Sequence, residues 1–323
     1  MKILGMGNAL VDIMTILPND NILNDFNLAK GSMQLVDDEF ISKIVKATEN
    51  FETKLTSGGS AANTINGIAR LGLETGFYGK VGNDSHGDFF ISDMQKNNIE
   101  SKLLKSTSHT GLAIALVSPD SERTFTVSLG AAVELDSNDI TDELFKGYDI
   151  FHIEGYLVQN HDLIEFAVKK AKQNGLKVSL DLASFNVVED NLDFLKDISK
   201  KYVDIIFANE EEAKAFTGLE PRKALDKIAE ICEIAIVKIG KEGSYIKTAD
   251  KVYSVGVIEA NSIDTTGAGD FYASGFLYGL SKGYDMEKCG KIGAILSGNV
   301  IEVIGAKMND ERWNKMISEI NNL

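Results

Sequence analysis

Cysteine is scarce: Cys232 and Cys289 are the two in 323 residues, far apart and in no C-x-x-C pair. Neither a disulfide framework nor a zinc knuckle is written into the chain, and the expected compartment is a reducing cytoplasm. Histidine is scarce too. His86, His109, His152 and His161 form no i,i+4 pair and stand in no cluster of acids at metal-ligand spacing, so each reads as a surface or packing residue. Basic charge is in deficit, with 33 Lys and Arg against 48 Asp and Glu and a net charge of −15. That balance speaks against a surface built for nucleic-acid phosphates, while leaving room for a local basic pocket that takes one nucleotide. No apolar run reaches membrane-spanning length, and Met1 to Val11, with one lysine and no small-residue cleavage site, reads as a first strand and not a leader.

Two nucleotide-binding signatures are also missing. Gly79-Lys80, Gly240-Lys241 and Gly290-Lys291 all lack the Ser or Thr that must follow the lysine of a P-loop. Gly5 and Gly7 have the spacing of a dinucleotide fingerprint, but Leu10 stands where its third glycine belongs. What remains is a chain 44% hydrophobic and 25% charged, ordinary for a globular protein and long enough for one large α/β domain.

The chain is organised around Asp264-Thr265-Thr266-Gly267-Ala268-Gly269-Asp270, which runs into the apolar stretch Phe271 to Leu277. Helical spacing puts Gly267 to Asp270 at a helix N-terminus, where unpaired N–H groups and the helix dipole favour an anion. A carboxylate planted there has two readings. Asp270 either complements the first turn, or is a general base beside amides of Gly267, Ala268 and Gly269 that hold charge on a transferred phosphoryl group. A second glycine motif, Gly58-Gly59-Ser60-Ala61-Ala62-Asn63, lets backbone approach a ligand, and Asn63 has a donor and an acceptor for a sugar diol; a glycine turn followed by an amphipathic helix is the plainer alternative.

Elsewhere polar residues fall at strand ends. Asn8 and Asp12 follow the first strand and could offer acceptors to a polyhydroxy ligand, or Asp12 could serve a turn. From Tyr148 onward strands and helices alternate, as in a parallel doubly wound sheet, with Glu154 and Asp181 at strand ends. Asn209 and Glu212 open a helix straight after a strand: they are a cap and its charged partner, or they order Mg²⁺-bound water near phosphates. Lys238 ends a further strand, and Gly240 and Gly243 flank the turn after it; the lysine reaches a phosphate or is merely solvated. A hairpin is expected across Ala249-Asp250. Segments of β-type alternation at Ile13 to Ile16, Ser32 to Val36 and Ser101 to Leu129, the last with a turn at Ser118-Pro119-Asp120, suggest a small inserted sheet that serves as a lid.

In order and separation the two glycine motifs and strand-end residues resemble the PfkB, or ribokinase-like, family of carbohydrate and nucleoside kinases, over nearly the whole chain. The resemblance implies a ribokinase-like three-layer α/β/α sandwich with a central mostly parallel sheet and a β-sheet lid. It implies a single kinase domain over residues 1–323, with lid segments at about 12–36 and 101–130. It implies ATP as donor, Mg²⁺ as bridging cation and in-line transfer to a primary alcohol. Asp270 becomes the base and Gly267, Ala268 and Gly269 the anion hole. Asn8, Asp12, Gln34, Gly58, Gly59, Asn63, Arg123 and Glu154 fall on the acceptor side. Asn209, Lys238, Gly240, Gly243 and Asn299 fall on the ATP side, with Glu212 near Mg²⁺. Asp264 and Thr266 resemble a monovalent-cation loop for K⁺, whose later part, Val300 to Gly305, is a looser match. Gly7 to Ile13 and Ser32 to Val36 look more like adenosine kinases than ribokinases, which ranks a purine nucleoside first as acceptor. Ribose, fructose or another sugar stands second, and a nucleoside sensor that lost its chemistry is the non-enzyme reading. The lid's open edge has two uses, covering the site or pairing with a second subunit as a homodimer.

Overall fold

The computed structural model describes residues 1–120, 122–249 and 251–323. Its strands, in chain order, are β1 Ile3–Met6, β2 Leu10–Ile16, β3 Met33–Leu35, β4 Thr53–Gly58, β5 Thr75–Gly82, β6 Ile99–Ser106 and β7 Gly111–Val117. They continue with β8 Arg123–Ser128, β9 Ile150–Glu154, β10 Lys177–Asp181, β11 Ile205–Asn209, β12 Ile234–Lys238, β13 Ser244–Thr248 and β14 Lys251–Val255. Nine of them form one sheet in the order β14-β13-β12-β11-β10-β9-β1-β5-β6. From β12 across to β6 every pairing is parallel; β13 and β14 close the other edge as an antiparallel hairpin. The expected hairpin is present through these two strands, and Asp250 of its turn lies outside the described residues.

Alternation along the parallel strands builds the three layers. Leu4, Phe151, Val178, Leu180, Ile206 and Val237 pack into one apolar cluster with the helices His161–Gln173, Leu192–Tyr202, Glu210–Thr217 and Pro221–Ile228. Ile3, Ile150, Ile205, Phe207 and Ile236 point to the opposite cluster, which takes the helices Ser60–Arg70, Ser85–Lys96 and Ala268–Ser281. Burial on both faces is why these strands read as continuous apolar runs.

Small residues set the helix spacing on the second face. A Cβ on Gly67 would fall 2.4 Å from Ser274 Oγ, and one on Gly275 would fall 2.6 Å from the Ile292 carbonyl. The helix Ala268–Ser281 is therefore clasped between Ser60–Arg70 and Met286–Val300, with Ser274 Oγ donating to the Thr64 carbonyl at 2.8 Å.

The smaller sheet has the order β3-β8-β7-β2-β4. Two lid boundaries differ from expectation. Residues 101–106 belong to β6 and pair with β5 at the edge of the large sheet, so the lid takes up the chain again only at Gly111. Thr53–Gly58, which lacks alternation because its first residues lie exposed on an edge, completes the lid against β2. No helix among the described residues is long and apolar enough to cross a membrane.

Gly67→Ala forces Ser274 away from the helix it contacts. We expect a loss of about 1–3 kcal/mol, read as a lower urea midpoint, and partial recovery in the Gly67→Ala/Ser274→Gly pair.

Candidate active site

Adjacent parallel strands that end together place their last residues along one line. At the C-terminal ends of β1, β9, β10, β11 and β12 stand Asn8, Glu154, Asp181, Asn209 and Lys238. Facing this edge are two helix starts, each preceded by a glycine with positive φ: Gly59 (98°) before Ser60–Arg70 and Gly267 (77°) before Ala268–Ser281. Between them opens a cleft of about 1010 Å³, at the top of the roughly 300–1,000 Å³ range of ligand pockets.

Asp270 is held in the cleft by both carboxylate oxygens. Ser60 Oγ donates to Oδ1 at 2.7 Å and Asn63 Nδ2 to Oδ2 at 3.0 Å. Burial pushes the carboxyl up to about 6; the two hydrogen bonds and Lys238 oppose that rise, and the charge of Asp181 adds to it. A carboxylate with its pKa this close to neutrality is suited to taking a proton. The Ala268 N–H is spent on the Thr265 carbonyl at 3.1 Å, which corrects its place among the anion-hole amides. Among the described residues no protein acceptor takes the amides of Gly267 or Gly269. A Cβ on Gly269 would sit 3.0 Å from Lys238 Nζ, so the ammonium reaches the same helix start.

Lys238 donates to Asp181 Oδ2 at 3.1 Å. Burial alone would lower its pKa, but the charges of Asp181, Glu212 and Asp270 outweigh burial and leave it raised. Asn209 and Glu212 form a reciprocal cap: Glu212 N–H donates to Asn209 Oδ1 at 2.8 Å, and Asn209 N–H and Nδ2 donate to the Glu212 carboxylate at 2.7 and 2.6 Å. Capping and site are one arrangement here, since both residues also line the cleft. Burial pushes Glu212 up to about 7, with Lys238 opposing and Asp181 adding. Gly240 and Gly243 line the cleft as expected, and Gly243, with φ of 101°, runs against the Val255 carbonyl.

On the lid side, Asp12 faces the cleft against Gly58, where a Cβ would lie 2.3 Å from Asp12 Oδ1. Burial pushes Asp12 up to about 7, Lys307 opposing and Asp270 adding. Next to Asp12 a side pocket is lined by Met14, Ala113, Ala115, Phe125, Ile304 and Ala306, with Arg123 and Asp264 at its rim.

Several expected residues stand elsewhere. Glu154 and Asn8 bind each other beneath the cleft: Asn8 N–H and Nδ2 donate to Glu154 Oε1 at 2.9 and 2.8 Å, and Ala61 N–H donates to Oε2 at 2.8 Å. They clamp the exit of β1 to the start of the helix Ser60–Arg70, and neither lines the cleft. Asn299 turns away, its Nδ2 donating to the Ile295 carbonyl at 2.9 Å, while neighbouring Gly298 lines the cleft against Ile258. Gln34 sits on the outer lid strand β3, paired in register with Thr126 and outside both cavities. Arg123, by contrast, lines the side pocket while its guanidinium is bound to Asp264, whose carboxylate also accepts from Thr266 and Gly305. Ser60 and Asp181 line the cleft as well; the sequence marked Asp181 only by its strand-end position and Ser60 only by its place beside the glycine pair, with no role for either.

A profile described as pfkB family carbohydrate kinase matches residues 28–312. A probable sugar kinase from Rhizobium etli is 32% identical and superposes with a TM-score of 0.87, covering 98% of each chain. Adenosine kinase from Sinorhizobium meliloti is 31% identical with a TM-score of 0.86, over 98% of this chain and 99% of that one. A nucleoside kinase from Methanocaldococcus jannaschii is 32% identical over 278 residues, 81% of this chain and 85% of its own.

The raised pKa of Asp270 bears on stability. Its carboxyl binds a proton more tightly in the fold than in the unfolded chain, so its favourable contribution is full below about pH 4 and is lost as pH rises through 6. Asp270→Asn keeps both hydrogen bonds, since Ser60 Oγ can accept from the new amide. The variant should therefore be more stable than the parent by about 1–3 kcal/mol at pH 8, with the difference vanishing near pH 4 in denaturant titrations.

Proposed function

The chain belongs to the pfkB family of carbohydrate kinases, and from that membership we propose that it transfers the γ-phosphoryl of ATP to a primary hydroxyl of a purine nucleoside. As a family member it is an ATP-dependent kinase acting on a hydroxyl group. The acceptor is the open step. The observation that carries our reading is the lining beside Asp12: Met14, Ala113, Ala115, Phe125, Ile304 and Ala306 offer apolar surface to the faces of a flat base, with Lys54, Thr56 and Lys307 among them, and the space of about 50 Å³ open there would have to widen to admit it. At its polar end Asp12 would accept from a ribose diol. Asn63 Oδ1, buried and without a protein donor among the described residues, offers a second acceptor to a ligand hydroxyl.

In this reading Asp270 removes the proton from the acceptor hydroxyl as its oxygen bonds to phosphorus and the bond to the ADP oxygen breaks. Ser60 and Asn63 aim the carboxylate. The amides of Gly267 and Gly269 and the ammonium of Lys238 draw the negative charge of the phosphoryl group. The lid, by covering the acceptor, keeps water from competing for the phosphoryl group. The donor set fits Mg²⁺ held through water: Asp181 and Glu212 face the cleft, but Glu212 already accepts from Asn209 at both oxygens and Asp181 from Ala183 and Lys238, so they would order water on an ion that also takes phosphate oxygens. Bound there, it would neutralise charge on the phosphates.

A sugar acceptor is the second reading. It is favoured by the similarity to the Rhizobium etli protein and by a diol-binding set, Asp12, Asn63 and the glycine pair, that suits any polyol. Coupled ADP release with ATP and Mg²⁺, compared as kcat/KM over adenosine, inosine, guanosine, ribose, fructose and fructose 6-phosphate, separates the two. We expect a purine nucleoside to lead. A free sugar or sugar phosphate in front overturns the acceptor, and no turnover with any acceptor favours a sensor. With the acceptor that leads, Asp270→Asn should bind both substrates and lower kcat by about 10²-fold or more; near-normal turnover removes Asp270 from the mechanism.

A further inference from the structure

The loop that opens the anion hole is braced by a charge from the lid. Asp264 lies four residues before the helix Ala268–Ser281, and each of its carboxylate oxygens has two donors. Oδ1 accepts from Thr266 N–H at 3.1 Å and from Thr266 Oγ1 at 2.8 Å. Oδ2 accepts from Gly305 N–H at 2.7 Å and from Arg123 Nη1. The first pair shapes the turn leading to Gly267. The second ties that turn to the loop after the helix Met286–Val300 and to lid strand β8. Burial alone would raise the Asp264 carboxyl; the donors outweigh burial and hold it below the usual range.

A K⁺ ion at this loop would need lone pairs from the carboxylate and from backbone carbonyls. The carboxylate has a guanidinium and three other donors on it. The Ile301 carbonyl, on the second loop, already accepts the amides of Ile263 at 2.7 Å and Asp264 at 3.1 Å. A cation entering would also meet the charge of Arg123, whose side chain is 17% exposed beside an Asp264 side chain 8% exposed, so little water screens the encounter. The donor set does not fit K⁺.

We propose that Arg123 takes the place of a monovalent cation in this chain: its guanidinium neutralises Asp264 and fixes the turn that presents the anion hole, so phosphoryl transfer is independent of K⁺. Arg123 acts through Asp264 and is a positioning residue. Because it is carried on β8, the charge arrives with the lid and not from solution. A planar guanidinium suits the role, since it keeps its charge at any working pH and points its donors in fixed directions. The inference rests on family membership and not on a nucleoside acceptor, so it is tested with whichever acceptor turns over.

The test compares kcat/KM in potassium, sodium and tetramethylammonium chloride at one ionic strength. For the parent chain the three should agree within about twofold, and a larger stimulation by K⁺ overturns the proposal. Arg123→Ala should lower kcat by about tenfold or more, with millimolar guanidinium or K⁺ restoring at least about threefold of the loss; a loss that neither cation touches overturns it too. Thermal unfolding supplies a readout that does not need turnover. Replacing tetramethylammonium by K⁺ should leave the midpoint of the parent unchanged and raise that of Arg123→Ala, and a K⁺-dependent rise in the parent contradicts the proposal. If Arg123→Ala does not fold, the two measurements on the parent decide the matter.

Discussion

Lys238 is a buried ammonium among carboxylates, and the arrangement of the cleft follows from keeping it charged. Its strand places it at the same sheet edge as Asp181, with which it pairs at 3.1 Å, and within electrostatic reach of Glu212 and Asp270. Burial works against the ammonium, and the charges of Asp181, Glu212 and Asp270 outweigh it. The glycine at 269 belongs to the same constraint, because a Cβ there would come within 3.0 Å of the lysine Nζ. A phosphate entering the cleft adds negative charge beside Asp181, Glu212 and Asp270. It therefore meets a fixed cation and the two glycine amides that no protein acceptor takes among the described residues, beside carboxylates that would order water on a metal ion. In the proposed reaction one residue thus reconciles an acidic site with an acidic substrate.

What could be read in the chain before folding was whatever is local or periodic. A run of four apolar residues ending in Lys238 marked β12, and Val178 and Leu180 before Asp181 marked β10, and the residues at their ends fell into the cleft because parallel neighbours end together. The cap of Asn209 and Glu212 was equally local, three residues apart. Pairings between distant residues were not legible. Nothing near Arg123 in sequence announces Asp264, and nothing near Glu154 announces Asn8 or Ala61; each contact exists only because the sheet order brings β1 beside β9 and the lid beside the anion-hole loop. The strand Thr53–Gly58 was illegible for a different reason: an edge strand half in water has no need of alternation. Asn299 shows the limit of carrying a role by position, since a helix rotation of one residue hands the cleft to Gly298 and gives the amide to the helix backbone.

The two members of the Gly58-Gly59 pair answer different demands. Gly58 leaves the volume that the Asp12 carboxylate fills, whereas Gly59 has a positive φ and a Cβ there would collide with the Asn8 carbonyl at 2.2 Å. Space is the issue at one and backbone conformation at the other. Together they bring the start of the helix Ser60–Arg70 under the lid strand β2, so that Ser60 and Asn63 face Asp270 while Asp12 faces the acceptor pocket. The exit of β1 is held to the same helix by Glu154, whose carboxylate occupies the space a side chain on Gly7 would need. Glu154 therefore shapes the acceptor side without lining it.

The lid then has two jobs that its pleat separates. On one face Ile13, Leu112, Ile114 and Leu116 join the apolar cluster that also holds Ile41 and Ile44, which anchors the sheet. On the other face Asp12, Met14, Ala113, Ala115, Arg123 and Phe125 line the side pocket proposed for the acceptor. Because side chains alternate strictly along a strand, the residue that braces the anion-hole loop and those that form the pocket's apolar wall share a rigid surface. A displacement of that surface acts on the pocket wall and on the strand that carries the Arg123–Asp264 pair together. In the proposed reaction, acceptor enclosure and the shape of the phosphoryl-binding turn are thereby coupled through the sheet itself.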